Sequence, residues 1–267
     1  MKKLCALLLL LSPASLLAWG GVGHRIVGGI AEQRLENTAA LKVALELLEG
    51  KHFSEVASEP DELRKNPGLA HTGAWHFVNI PLAKPYLASR DCAFSDCIID
   101  RITQQRTVLA DKNQSTAARR DALIFLIHFL GDIHQPLHCE QGLLKDGSPD
   151  RGGNLVHVTL NGKHLNGIDD KSDNLHSFWD VTLVENGDGK DDKAQVARLL
   201  TMPIPPADGT PKTWAFESKT IAKGVQVADG TDLTDAYIVK NKPKVDKRLL
   251  QAGVRLAAVI EKALGSQ

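Results

Sequence analysis

Apolar residues recur along most of this chain at intervals of three and four, the spacing that lines them up on one face of an α-helix. Ile26, Ile30, Leu35, Leu41, Leu45 and Leu48 predict helix over 26–48, with Gly50 as its stop. The pattern is stronger over 121–133, and it returns over 173–184, 213–227 and 247–264, with the proline-rich stretch 202–211 as a connector. Only one segment alternates as a strand does. Val156, Val158 and Leu160 lead into Asn161-Gly162, which predicts one short β-hairpin over 155–165. No internal repeat and no long linker interrupts these elements, so the expected fold is mainly α, a single helical domain.

The first residues follow a different pattern. Lys2 and Lys3, the apolar run Leu7 to Leu11, and then Pro13, Ser15 and Ala18 read as a signal peptide over 1–18, cut between Ala18 and Trp19. Residues 19–267 are then the functional domain. The run is too short to span a bilayer, so the expected product is an exported monomer, periplasmic or secreted, with no membrane attachment once the signal is removed. Export makes disulfides permissible. Cys92 and Cys97, in Arg-Asp-Cys-Ala-Phe-Ser-Asp-Cys, are expected to pair locally, because a lone cysteine pair is only half of a structural zinc site. Cys139 is then left as a partly buried free thiol. The 267 residues carry 32 Lys+Arg against 32 Asp+Glu, with 43% hydrophobic and 24% charged residues. That balance excludes a disordered chain and provides no global positive field, so any phosphate must be gripped locally.

The chemistry concentrates in the strongest helix and its exit. His128 and Asp132 share a face at i and i+4, His138 follows, and His176 and Asp180 repeat the same spacing. One such pair could be an ordinary ion pair, but two pairs with a further histidine suit a borderline cation such as zinc, which takes neutral imidazole and carboxylate oxygen. Asp132 also falls on a face otherwise made of Phe125, Phe129 and Ile133, where a carboxylate is costly unless something positive compensates it.

Gly131-Asp132-Ile133-His134-Gln135-Pro136-Leu137-His138 after His128, and Asn174-Leu175-His176-Ser177-Phe178-Trp179-Asp180, resemble the secreted zinc-dependent single-strand nucleases of fungi and plants, also called 3′-nucleotidases. The resemblance takes in Trp19-Gly20 with Gly23-His24, Asp61 with Arg64, Trp75-His76-Phe77 and Arg151-Gly152-Gly153-Asn154, in one order. It implies the helical fold that such nucleases share with zinc-dependent phospholipase C, and three Zn2+ per chain. By resemblance, one zinc takes Asp61, His76, His128 and Asp132; a second takes His138, His176 and Asp180; a third takes the amino nitrogen and carbonyl oxygen of Trp19, His24 and the shared Asp132. Asp61 would orient the attacking hydroxide and Arg64 would stabilise phosphoryl charge. The substrates would be single-stranded DNA and RNA and 3′-mononucleotides, with 5′-phosphorylated products. Phe77 would stack on a base, its other reading being a core residue of the Trp75-His76-Phe77 run, and Asn79 stands where many relatives carry Asp, which alters the hydrogen bonds on offer. Because an α-amino group binds metal only when free, the uncut precursor is expected to assemble the site poorly.

Two alternatives remain open at this point. A zinc-dependent phospholipase C is the nearer, although its last carboxylate is typically Glu where this chain has Asp180; a non-catalytic zinc-binding protein is the other. Several residues have plain readings. His134 is expected to support the ligands by a hydrogen bond, and His52, His71, His157 and His164 to be surface or structural. Trp179 and Trp214 belong to the core, Gly152-Gly153 to a tight turn, 240–248 to a solvated helix start, and 167–173 to a solvated acidic loop.

Overall fold

The computed structural model describes residues 19–166 and 172–265; the expected signal segment 1–18 and positions 167–171 of the acidic loop lie outside the described residues. Twelve α-helical segments account for most of those described. They are α1 (Gly21–Arg34), α2 (Ala39–Leu47), α3 (Phe53–Val56), α4 (Glu59–Leu63), α5 (Ala88–Asp91), α6 (Ile98–Ala110) and α7 (Thr116–Asp132), then α8 (Leu175–Ser177), α9 (Leu183–Glu185), α10 (Asp192–Leu200), α11 (Pro211–Lys223) and α12 (Asp235–Leu264). Strands β1 (Val158–Leu160) and β2 (Thr231–Leu233) form one small sheet. The mainly α single domain is what the apolar periodicity implies.

Three local departures have physical causes. The helix expected over 26–48 is two helices, because Asn37 adopts φ 65° and Thr38 restarts the chain, its Oγ1 accepting from Leu41 N at 3.1 Å. Apolar spacing runs across such a break without registering it. The hairpin is corrected in its partner. Asn161 (φ 52°) and Gly162 (φ 72°) do turn, and Leu160 bridges Lys163, but the ladder of β1 is formed with β2, in parallel, Val158 opposite Thr231 and Leu160 opposite Leu233. The turn's own amides go to β2 as well, Asn161 N donating to Leu233 O and Gly162 N to Asp232 Oδ1. The last departure is α12, which begins at Asp235 and keeps Arg248 only 1% exposed, so 240–248 is not simply a solvated start.

The core lies where α12 crosses α1 and α7. Gly253 makes the crossing with α1 close: a Cβ there would stand 2.5 Å from Ile30 Cβ. Beneath the exit of α7, a buried polar network replaces apolar packing. Arg248 Nε donates to His134 O (3.0 Å), Arg255 Nη1 donates to His134 Nε2 (2.9 Å), and both guanidiniums pair with Glu217. Ser218 Oγ donates to Ile133 O (2.6 Å) and accepts from Arg248 Nη2 (2.7 Å). Residues 133 and 134 are therefore fixed from behind, while Asp132 on one side of them and His138 on the other face the opposite way.

Candidate metal centre

Six pieces of chain converge on one buried point. α1 supplies His24 and α4 supplies Asp61 with Arg64; a 3₁₀ turn (Pro67–His76) ends at His76. α7 supplies His128 and Asp132, a second 3₁₀ turn (Pro136–Cys139) supplies His138, and α8 with the π-helical turn Phe178–Thr182 supplies His176 and Asp180. All eight ligand candidates are buried. The i, i+4 spacing works as expected: His128 Nε2 lies 3.1 Å from Asp132 Oδ2, and His176 Nε2 lies 3.2 Å from Asp180 Oδ2. Asp132 is the hub, with His76 Nδ1 at 3.0 Å and His24 Nε2 at 3.4 Å. Three sets of donors come close enough together to hold an ion each: His24, Asp61 and His128; His76, His128 and Asp132; His138, His176 and Asp180.

The hydrogen bonds on the far side of the rings test whether a cation fits. His128 Nδ1 donates to Ala57 O (2.7 Å), His138 Nδ1 to His76 O (2.8 Å) and His176 Nδ1 to Gly152 O (2.6 Å). With the proton on Nδ1, a neutral ring carries a lone pair on Nε2. His138 Nε2 and His176 Nε2 nevertheless face each other at 3.1 Å, which leaves two acceptors opposed. A cation between them resolves the conflict, and carbonyl-anchored imidazoles are the usual support for metal ligands. His24 Nδ1 and Nε2, His76 Nε2, Asp132 Oδ1 and Asp61 Oδ1 are likewise buried with no hydrogen-bond partner among the described residues. Unsatisfied atoms at this density are costly, and a metal satisfies them together.

Protonation agrees with this reading. Burial, reinforced by His128, holds His24 and His76 well below the ordinary imidazole range, and burial with His176 does the same to His138. His176 is lowered to about 4, chiefly by burial. His128 is raised, because Asp132 and Asp61 outweigh the burial that works against its charged form. Burial also pushes Asp132 up to about 6 and Asp180 well above the carboxylate range, the latter opposed by Gln135. Four rings held neutral keep a lone pair on each imidazole, the protonation state in which histidine binds a metal.

Arg64 Nη2 stands 2.7 Å from Asp61 Oδ1, an ion pair lying off the line of its N–H bonds. Arg64 also lines a cleft of about 290 Å³ that opens onto the cluster, together with His76, Phe77, Asn79, His138, Arg151, Asn154 and His176. Phe77 is half-buried in that wall and outside the core, and Asn79 is exposed there. Trp19 is fully buried, its Nε1 donating to Gly131 O (2.7 Å), while Gly20 N donates to Asp180 O (2.9 Å). Gly131 has to be glycine, since a Cβ there would come within 2.8 Å of His24 Nδ1.

Cys92–Cys97 is a disulfide, and Cys139 is a free thiol that is fully rather than partly buried. His134 donates from Nδ1 to Leu130 O and accepts at Nε2 from Arg255, so it braces α7 and not a ligand side chain. His52 pairs with Glu32, His157 with Asp229 and His164 with Asp173, and His71 packs edge-on to Trp75. Trp179 and Trp214 are core residues. Gly152 and Gly153 take φ 62° and 79°, and Gly152 is more than a turn because its carbonyl orients His176.

One supporting residue escaped the sequence reading. Gln135 Nε2 donates to Asp180 Oδ1 (2.6 Å), and its own Oε1 accepts from Leu137 N. The available clue was an amide inside an otherwise apolar helix exit. Glu140 escaped it too. Its Oε1 accepts from Gln226 Nε2 at 3.0 Å, its Oε2 has no partner, and burial followed by repulsion from Asp150 raises its carboxyl from 4.5 to about 8. Between those two values the folded chain holds a proton that the unfolded chain has lost, so stability falls as pH rises through the window, at roughly 1.4 kcal/mol per unit at most. Glu140→Gln is expected to melt several degrees above the parent at pH 8 and together with it at pH 4.5. Thermal melts across that range check this; parallel curves would mean Glu140 ionises freely.

With the geometry in place, similarity to known proteins is informative. The model for the S1/P1 Nuclease family matches residues 19–265. Endonuclease 3 of Arabidopsis thaliana is 30% identical, the match covering 94% of this chain and 90% of that protein. Nuclease P1 of Penicillium citrinum is 26% identical over 93% of this chain and 99% of its own length, and nuclease S1 of Aspergillus oryzae is 27% identical over 91% of each. The family match starts at Trp19 and runs through every residue of the cluster to the end of α12, so the chain belongs to the S1/P1 nuclease family.

Proposed function

We propose that this hydrolytic nuclease is a zinc-dependent endonuclease and 3′-nucleotidase, cleaving single-stranded DNA and RNA to 5′-phosphorylated products. The observation that carries the reading is the buried set of opposed and unpartnered His and Asp donors at the floor of a cleft lined by Arg64 and Phe77. Asp61, His76, His128 and Asp132 would hold one Zn2+, and His138, His176 and Asp180 a second. A third would take His24, Asp132 and the amino nitrogen and carbonyl oxygen of Trp19. When bound, the cations supply Lewis acidity to the phosphodiester and acidify water.

The chain's own groups do the rest. Asp61 accepts from and orients the attacking oxygen, and Arg64, held 2.7 Å from it, donates to the phosphoryl oxygens as negative charge builds. The carbonyls of Ala57, His76 and Gly152 keep His128, His138 and His176 in one tautomer. Phe77 stacks on an unpaired base, which accounts for a single-strand preference with little base selectivity, and Asn79 donates to or accepts from its edge. The Trp19 ligand requires removal of a signal peptide over 1–18, so export and activation coincide. Among the described residues no helix is long and apolar enough to cross a membrane.

The decisive experiment is metal analysis of protein beginning at Trp19, paired with hydrolysis of single-stranded DNA, RNA, a 3′-mononucleotide and phosphatidylcholine before and after chelation. About three zincs per chain with chelator-sensitive nucleotide release and intact lipid are expected. Lipid cleavage without nucleotide release, or a full zinc load with no hydrolysis, would overturn the reading in favour of a phospholipase or a metal-binding protein respectively.

A further inference from the structure

A second cavity of about 290 Å³ adjoins the metal cleft, and Phe77 and Asn79 line both. Its other walls include Ala74, Pro81, Arg90 and Gln141. The charged groups around it are already engaged. Arg90 donates to both Asp91 carboxylate oxygens and to Pro85 O. Asp96 accepts from Trp75 Nε1 (2.6 Å) and from Arg101 Nη2 (2.9 Å), and the Arg101 guanidinium stacks 4.0 Å over the Trp75 ring. No cation is left here for a phosphate.

What remains available is different in kind. The side-chain amides of Asn79 and Gln141 have no hydrogen-bond partner among the described residues, and each offers a donor beside an acceptor. Together with an aromatic wall, that is the complement of a neutral planar heterocycle whose edge alternates donors and acceptors, which describes a nucleobase. The loop walling the far side is closed by the Cys92–Cys97 disulfide and carries Phe94, 97% exposed, with φ 58° at Phe94 and 56° at Ser95. Positive φ is unfavourable at a bulky residue, and this loop sustains it with the Phe94 ring left in water.

We propose that this cavity is a second nucleobase subsite, which receives the nucleotide adjoining the one held at the metal cleft, with Phe77 and Asn79 between the two. The inference rests on the nuclease reading and extends it: a polymer engages two base sites where a mononucleotide engages one. Stacking and amide contacts of this sort tolerate any base, so the gain is in length selectivity rather than in sequence.

The test compares kcat/KM of the zinc-loaded enzyme for tetrameric deoxyadenylate with that for deoxyadenosine 3′-monophosphate. The tetramer is expected to be the better substrate, and the ratio to fall about tenfold in Gln141→Ala, which removes an amide, and in Ala74→Phe, which fills the cavity. Using a ratio cancels any general loss of folded enzyme. A parent enzyme that cleaves the tetramer, with the ratio unchanged in both variants or already at unity, overturns the subsite and leaves the nuclease reading standing. A parent enzyme that cleaves neither substrate removes both.

Discussion

Replacing Asp132 by Asn is expected to lower hydrolysis of single-stranded DNA by about 10³-fold, since losing several kcal/mol of charge stabilisation costs that much in rate. Metal content should fall with it, because among the described residues Asp132 is the one carboxylate within 3.4 Å of His24, His76 and His128 together. Stability should respond in opposite directions with and without metal. In chelator, the variant is free of a carboxylate that burial pushes up to about 6, and that group costs stability at every pH above its unfolded value of 3.8. The Asn variant should therefore melt at or above the parent. With zinc at a thousandfold excess over its dissociation constant, the parent gains about 4 kcal/mol that the variant mostly forgoes, and the order of melting temperatures reverses. Metal analysis and melts with and without chelator check this. A variant that keeps its full load and its zinc-induced shift would show that Asp132 is not the shared donor.

That reversal also explains what was legible in the sequence. Metal sites need fixed side-chain spacing within an element, and spacing is what a sequence displays: His128 with Asp132 and His176 with Asp180 meet as the helical period requires. His24, Asp61 and His76 come from three other elements, and only the family resemblance placed them in the cluster. The backbone groups that orient the rings, Ala57 O, His76 O and Gly152 O, have no sequence signature, since every residue has a carbonyl. The same applies to the partner of β1. Asn161-Gly162 announces a turn, but whether β1 pairs with the next residues or with β2, some seventy positions on, depends on where α11 and α12 deliver the chain. The burial of Arg248 is hidden from the sequence for a related reason. A cation in a lysine-rich stretch looks solvated until a buried carbonyl, a serine and Glu217 are found around it.

Arg64→Ala is expected to separate catalysis from metal binding, which no change to a ligand can do. Arg64 lines the cleft and reaches to 2.7 Å from Asp61 Oδ1, so in the proposed function its donors would stand where phosphoryl charge develops. Removing such a donor costs about 10²- to 10³-fold in kcat. Its positive charge also faces the ligands, and it contributes to holding His24, His76, His138 and His176 below the ordinary imidazole range. The charge that disfavours protonated histidine disfavours a cation at the same place. Zinc affinity in Arg64→Ala should accordingly equal or exceed that of the parent while turnover collapses. Arg64→Lys, which keeps the charge and loses the planar fork, should recover part of the rate and none of the extra affinity. Zinc titration against a competing chelator, run beside steady-state kinetics, measures both quantities. Loss of zinc in step with activity would make Arg64 a brace for Asp61 and move the stabilisation of phosphoryl charge to other groups in the cleft, of which Arg151 is the remaining guanidinium that lines it.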